Sequence, residues 1–330
     1  MSETTELGAL RRTAVLLDGE SHDVLGAGGN DRVSFLHRIT SGRIAGLEVG
    51  EGGQTLLLEV RGHVLASLCV FVCEDRVRLL AAYGQGTEVA AGLSRYAVMD
   101  DFQIALEADL ATLAVLGPKA VQALGAVGVE LPPAFAQAPL LSHADVAGAA
   151  FGPLWVARSR ACGSDGLLVV AARPARQMLV EALHSQGTRS LSPETAEGLR
   201  IAALEPASGK EITPDHFPVE VGLGAAIDHG KGCYVGQETI VRMRDRGNVR
   251  KRLVLVRLDG DEVPSPGDKV STQAQPAAGQ ITSAGRVPGE RPLALAVVAG
   301  AVPVGAAVQI QHGESVLPAA VVAEAPPPWG

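Results

Sequence analysis

Lys231-Gly232-Cys233-Tyr234-Val235-Gly236-Gln237-Glu238 is the chemically densest stretch of this chain. Gly230, Gly232 and Gly236 allow positive φ and close approach of backbone to a ligand. Lys231, Gln237 and Glu238 bring a cation, an amide and a carboxylate, and Cys233 brings a thiol. Glu238 to Met243 holds no Gly or Pro and reads as a helix, whose first N–H groups suit an anion. By residue type alone, the stretch fits either a Gly-rich loop around a buried cysteine or a ligand loop with a reactive thiol.

The surrounding composition narrows the class. The 330 residues carry 28 Lys and Arg against 36 Asp and Glu, a net charge of −8. No overall positive field would hold phosphates, which excludes a general nucleic-acid coat. Apolar residues make up 47% and charged residues 19%, so packed domains are expected and global disorder is excluded. Aromatics are only 3%, so the core must be built on Leu, Val and Ala. The length suits two or three domains. Cys69, Cys73, Cys162 and Cys233 form no CxxC pair, and the eight histidines are scattered without ligand spacing, so no metal site is expected. Cys69 and Cys73 lie on one face of a predicted strand as buried thiols, which fits a reducing compartment. The polar, acidic start and the absence of a long apolar run predict a cytoplasmic protein without membrane contact.

Working outward along the chain, Leu10 to Leu25 reads as opening strands. Asp31 reads as the N-cap of a helix through Val33, Leu36, His37 and Thr40. Gln54–Val60 and Val64–Cys73 form a hairpin about Arg61-Gly62-His63, with His63 as a solvated histidine. Strand, helix and strand follow to Ala108, giving a compact α+β unit over 50–110. Ala111–Leu116 is a buried strand turned by Gly117-Pro118 into a helix. Trp155–Arg160 and Leu167–Ala172 flank the turn Gly163-Ser164-Asp165-Gly166. Pro174–Gln186 is an amphipathic helix with Met178, Leu179, Ala182 and Leu183 on its apolar side. Ser192 caps a helix over Pro193–Leu204. From Leu253 on, short apolar runs alternate with Pro- and Gly-rich turns, the pattern of a small β-barrel. The tail Pro326-Pro327-Pro328-Trp329 is expected to fray. Arg242 to Arg252 holds six basic residues against one acidic one. It is either a solvated linker or an anion site for a polyglutamate, a phosphate or an RNA backbone. No aromatic residue is interleaved, so base stacking is not supported.

The string Lys-Gly-Cys-Tyr-x-Gly-Gln-Glu at 231–238 resembles the signature of the YgfZ-type folate-binding proteins. These are relatives of the glycine cleavage T protein, an aminomethyltransferase. Phe35-Leu36, the Gly117-Pro118 unit, Gly163 to Gly166, Pro218-Val219-Glu220 and Arg200-Ile201 resemble further family elements. The resemblance implies an α+β fold: a ring of small α+β subdomains over 1–248, followed by a C-terminal β-barrel over 249–330. It implies tetrahydrofolate as cofactor, and a role in assembly or repair of iron–sulfur enzymes with an indirect effect on tRNA modification. Iron–sulfur enzymes or assembly proteins would be the partners. Cys233 would be the working residue, with a depressed thiol pKa beside Lys231 and a helix start. Lys231 would stabilise that thiolate or bind a folate carboxylate, and Tyr234, Gln237 and Glu238 would shape the loop or touch ligand. Arg200 would be a folate contact or a helix-surface charge.

Departures from the family pattern bear on activity. Aminomethyltransferases read Gly-Gly-Val-Ile-Asp-Asp-Leu where this chain has Gly62 to Leu68. Ala66 and Ser67 replace the acidic pair, and neither can act as a base at neutral pH. Ala202 stands where the transferases hold the pterin ring with a glutamate. Thr40-Ser41-Gly42 stands where many relatives read Thr-Asn-Asp. A folate-binding accessory protein is therefore expected ahead of an aminomethyltransferase or other C1 transferase. A non-enzymatic scaffold, binding a partner or RNA through 242–252, is the third reading.

Overall fold

A computed structural model describes residues 4–247 and 249–326. In chain order the elements are α1 (Thr4–Arg12), β1 (Val15–Leu17), β2 (His22–Gly28), α2 (Arg32–Ile39), β3 (Gly52–Leu58), β4 (Val64–Val72), β5 (Val77–Ala82), α3 (Gly86–Ser94), β6 (Gln103–Leu106), β7 (Leu110–Leu116) and α4 (Ala120–Ala126). They continue with β8 (His143–Gly148), β9 (Gly152–Ala161), β10 (Ser164–Ala172), α5 (Arg173–Ser185), β11 (Arg189–Ser190), α6 (Pro193–Ala202) and α7 (Gln237–Arg246). The last six strands are β12 (Lys251–Leu258), β13 (Lys269–Ser271), β14 (Gly279–Gly285), β15 (Leu293–Ala299), β16 (Ala307–His312) and β17 (Ser315–Glu324). The protein is thus mixed α+β with an all-β end, as expected.

The chain divides into two compact units. The first takes residues up to 57, 66–191 and 226–235; the second takes 58–65, 192–225 and 236 onward. The expected division at 248/249 differs from this. The barrel's unit also recruits α6, α7 and the tip of the β3–β4 hairpin, because α6 packs on β14 and β15.

The first unit contains two sheets. One has the order β3-β4-β5-β2-β6, the other β11-β1-β7-β10-β9-β8. On β4, Val64, Ala66, Leu68 and Val70 are buried while Leu65 is exposed, the period of two that puts alternate side chains into one core. That core joins Phe35, Leu36 and Ile39 of α2 to Leu25, Leu57, Leu79 and Leu93. The second sheet packs Leu113, Val115, Val156, Leu167 and Val169 against Leu124 of α4 and Leu179 and Leu183 of α5. His143 ties the two sheets together: its Nε2 donates to Val72 O at 3.0 Å, and its Nδ1 accepts from Trp155 Nε1 at 3.0 Å. Both cores are aliphatic, as the composition requires.

In the second unit β12-β15-β14-β13-β16-β17 close into a barrel around Val254, Val256, Ile281, Ala296, Ile310 and Val321. Closure leaves no unpaired edge. Sequence spacing indicates every strand except β13, whose three residues show no period.

Several local expectations change. Leu10 to Leu25 opens on helix α1, whose Glu6 in the first turn and Arg11 and Arg12 in the last complement the helix dipole. Asp31 precedes α2 without capping it, because its carboxylate accepts from Asp101 N at 2.9 Å instead. Met178 is 49% exposed, and the apolar stripe of α5 is Ala175, Leu179, Val180 and Leu183. His63 packs edge-on to Phe217 at 4.3 Å and bonds the Pro214 carbonyl. The hairpin tip is therefore held within its unit and not merely solvated. Of the tail 326–329, only Pro326 lies within the described residues. No helix among the described residues is long and apolar enough to cross a membrane.

Candidate functional site

The signature stretch is built from both sides of residue 235/236, and each side has its own local cause. In the first unit, residues 226–231 are tied to the end of α2. Ser41 is fully buried; its hydroxyl donates to Ala226 O at 2.7 Å and accepts from Leu56 N at 3.0 Å. Asp228 N donates to Ser41 O at 3.0 Å. The Asp228 carboxylate accepts from Gly230 N and from Arg43 Nε, each at 2.8 Å, and these contacts hold its pKa below the usual carboxylate range.

Lys231 completes the tie. Its Nζ donates to the carbonyls of His37, of Thr40 at 2.6 Å and of Gly42 at 2.7 Å. An ammonium has three N–H donors, so all are engaged. The carbonyls that close a helix have no partner within it, and a basic side chain there satisfies them and favours the dipole. Lys231 acts in that way on α2. Burial pulls its pKa down to about 8, against the raising influence of Asp228. Its ammonium also lies 5.4 Å from the centre of the buried Tyr234 ring, a cation–π distance. His37 beside it accepts from Ile44 N through Nδ1 at 3.2 Å, and burial together with Lys231 lowers its pKa. Lys231 was expected to stabilise a thiolate or bind a folate carboxylate; here its three donors hold main-chain carbonyls.

Cys233 is exposed, whereas Cys73 and Cys162 are buried and Cys69 is half-buried. Burial pushes the Cys69 thiol up to about 11 and raises that of Cys73. Among the four, Cys233 is thus the accessible thiol. No group of His, Cys, Asp and Glu suited to a metal occurs among the described residues.

In the second unit, Gly236 has φ +80° and precedes α7. A Cβ there would come within 2.4 Å of Glu59 O and 3.0 Å of Gly62 Cα. Close packing against the β3–β4 turn therefore requires glycine at 236. Gln237 and Glu238 open α7. Glu238, with its side chain 82% exposed, pairs with Arg242 at 2.5 Å. The basic run is partly neutralised: Arg244 pairs with Asp245 at 3.3 Å, and Arg252 pairs with Glu324. Arg246, Arg250 and Lys251 stand exposed.

Arg200 belongs to a different cluster. Its Nε donates to Glu197 at 2.9 Å, and Nη2 to Glu197 and Ser283 at 2.7 Å each. Its Nη1 donates to Glu205 O at 2.5 Å and to Glu211 at 3.1 Å. All five guanidinium donors are engaged. Glu211, fully buried, also accepts from Ser283 Oγ at 2.6 Å and Ala207 N at 3.0 Å. Hydrogen bonds from Arg200 and Lys210 overcome the desolvation that would raise the Glu197 carboxyl, leaving its pKa at about 2. Arg200 is a clamp between α6, the 205–211 loop and the barrel; neither a free surface charge nor an open ligand contact describes it.

The acid-pair positions can also be placed. Ala66 points into the core of its sheet at 1% exposure, and Ser67 points to the other face. Ser41 and Arg43 were not singled out as anchors by sequence reasoning; only the short polar step after the apolar helix α2 marked them.

Comparison with known proteins agrees with this architecture. A family model described as the GCVT N-terminal domain matches residues 2–231. The aminomethyltransferase of Burkholderia multivorans is 27% identical over 97% of this chain and 88% of its own. That of Anoxybacillus flavithermus is 29% identical over 76% of this chain and 70% of its own. The crystal structure of the glycine cleavage system aminomethyltransferase T from Bartonella henselae superposes with a TM-score of 0.86 at 21% identity. It covers 99% of this chain and 89% of that one, and shows the fold. With the family model spanning well over half its length, this chain belongs to the GCVT N-terminal domain family.

Proposed function

We propose that this protein binds tetrahydrofolate and serves as an accessory factor for iron–sulfur enzymes, with Cys233 as its working thiol. The observation that carries the reading is the presentation of Cys233: an exposed thiol beside a loop fixed by Ser41, Asp228 and Lys231. Fixing the loop reduces the entropy lost when a ligand or a client sulfur meets the thiol. Lys231 and Tyr234 act as positioning residues beside the thiol. Arg200 holds the loop 205–211 to the barrel. Folate enters through the family, and the iron–sulfur role through the resemblance of 231–238 to the YgfZ-type signature. Effects on tRNA modification would follow through thiolating iron–sulfur enzymes, in a cytoplasmic setting.

A second reading is favoured by the aminomethyltransferases that align with nearly the whole chain. Ala66 in the apolar core and Ser67 without charge count against that chemistry, since a base or a counter-charge is lacking there. Two assays separate the readings. In cells lacking the protein, Cys233→Ala is expected to fold normally and to leave iron–sulfur enzyme activity unrestored; full restoration would remove the thiol from the mechanism. Incubation with tetrahydrofolate and an aminomethyl donor is expected to release no ammonia. Steady ammonia release would make the protein a transferase.

A further inference from the structure

Two motifs outside the signature meet at one cleft of the first unit. Gly117-Pro118 leads into α4, and Gly163-Ser164-Asp165 turns β9 into β10; Gly117 N donates to Asp165 O at 2.9 Å and straps them together. Between them lies a cleft of about 510 Å³ whose lining includes Arg11, Arg158, Arg160, Asp165, Gln122 and Ser164. Three guanidiniums against one carboxylate leave a net charge of +2 at this cleft, in a chain whose net charge is −8. Arg160 is engaged, donating from Nε to Asp165 at 2.8 Å. Arg158 is in a different state: its Nε is buried without a hydrogen-bond partner, and no carboxylate pairs with it among the described ion pairs. That Nε is closed to solvent, so what the guanidinium offers a ligand in the cleft is its charge, which no carboxylate neutralises.

We propose that this cleft binds a small phosphate ester, with Arg158 as the principal anchor and Arg11 and Arg160 as flanking charges. The guanidinium fork matches phosphoryl oxygens in pairs, and the charge of the cleft matches a dianion. The volume exceeds that of a bare phosphate, and the apolar walls at Leu10, Pro118 and Val121 suit a short carbon body. Gln122 and Ser164 supply neutral hydrogen bonds. This site is independent of the signature loop and of the folate reading.

The test is calorimetric titration of the full chain at low ionic strength with glycerol 3-phosphate, inorganic phosphate and succinate. Glycerol 3-phosphate should bind saturably and more tightly than the other two. Arg158→Gln should weaken it about tenfold or more, the usual worth of a charge-assisted pair. Asp165→Asn should tighten it several-fold, because it releases Arg160 and raises the positive charge. Arg95→Gln, an exposed arginine elsewhere in the unit, should leave the Kd unchanged. The assignment is overturned by absence of saturable binding, by an Arg158→Gln Kd equal to the parent's, or by succinate binding as tightly as the ester. Asp165→Asn lies at the surface, so it keeps the test decisive should Arg158→Gln fold poorly.

Discussion

Arg200 and Arg158 are both half-buried arginines close to family motifs, yet their donors tell opposite stories. Arg200 gives all five N–H groups to Glu197, Glu205, Glu211 and Ser283. Arg158 keeps a buried Nε with no partner. A motif position attracts attention to the first, but unfilled hydrogen-bonding capacity points to the second. Lys231 stands with Arg200: it is central to the signature and fully committed to carbonyls. Arg200 and Lys231 both hold the scaffold.

The sharpest way to break the comparison is to remove each arginine. Arg200→Met leaves the fully buried Glu211 without its guanidinium, which should cost about 3–5 kcal/mol in denaturant unfolding. Arg158→Met abandons no buried carboxylate and should cost under about 1 kcal/mol. Equal losses would void the distinction.

Acid comes next, and it separates the two units. Burial pushes His22 down to about 4 and also lowers His143, both in the first unit. Unfolded chains take up the proton near the ordinary value of 6.5. Stability from these neutral imidazoles is therefore full above that value and lost as pH falls toward 4. His22 alone accounts for about 3 kcal/mol at most by this linkage. Glu197 in the second unit, with its pKa lowered from 4.5 to about 2, keeps its contribution until pH drops below 4.5. Hydrogen exchange at pH 5 should thus accelerate in 66–191 before the barrel; simultaneous loosening would refute the assignment.

A smaller effect is expected from Lys231→Met. Three carbonyls at and just beyond the end of α2 lose their donor, at about 2–3 kcal/mol in sum. Exchange should rise in 37–42 and 226–231 while the barrel stays protected. The smallest effect belongs to Glu238→Ala. Its pair with Arg242 is solvent-exposed, so unfolding should shift by under about 1 kcal/mol. A larger shift would show that α7 depends on that pair.

Much of the fold was legible because its signals are local. Gly236 followed by a run free of Gly and Pro marks the start of α7, and short apolar runs bounded by turns mark β4, β12 and β15. Ser192 was readable as a cap from its type and place before Pro193, and its hydroxyl accepts from Thr195 N at 3.3 Å. The barrel was legible from short strands and Pro- and Gly-rich turns, but its strand order was not, since β12 pairs with both β15 and β17 across long stretches of chain and no local period encodes such pairing. The role of Lys231 was hidden for a chemical reason: its partners are main-chain carbonyls, which any residue at 37, 40 and 42 would supply. Arg200 was hidden by distance, because Ser283 arrives from a barrel strand far along the chain. The accessible Cys233 was visible as a residue, but only packing separates it from the half-buried Cys69 and the buried Cys73.

The most direct test of the central claim is equilibrium binding of tetrahydrofolate to the purified chain under reducing conditions, with Lys231→Met and Arg158→Gln alongside. The account predicts saturable micromolar binding, weakened by Lys231→Met through the loosened loop and unchanged by Arg158→Gln. Absence of saturable binding, or a Kd indifferent to Lys231→Met, would contradict it.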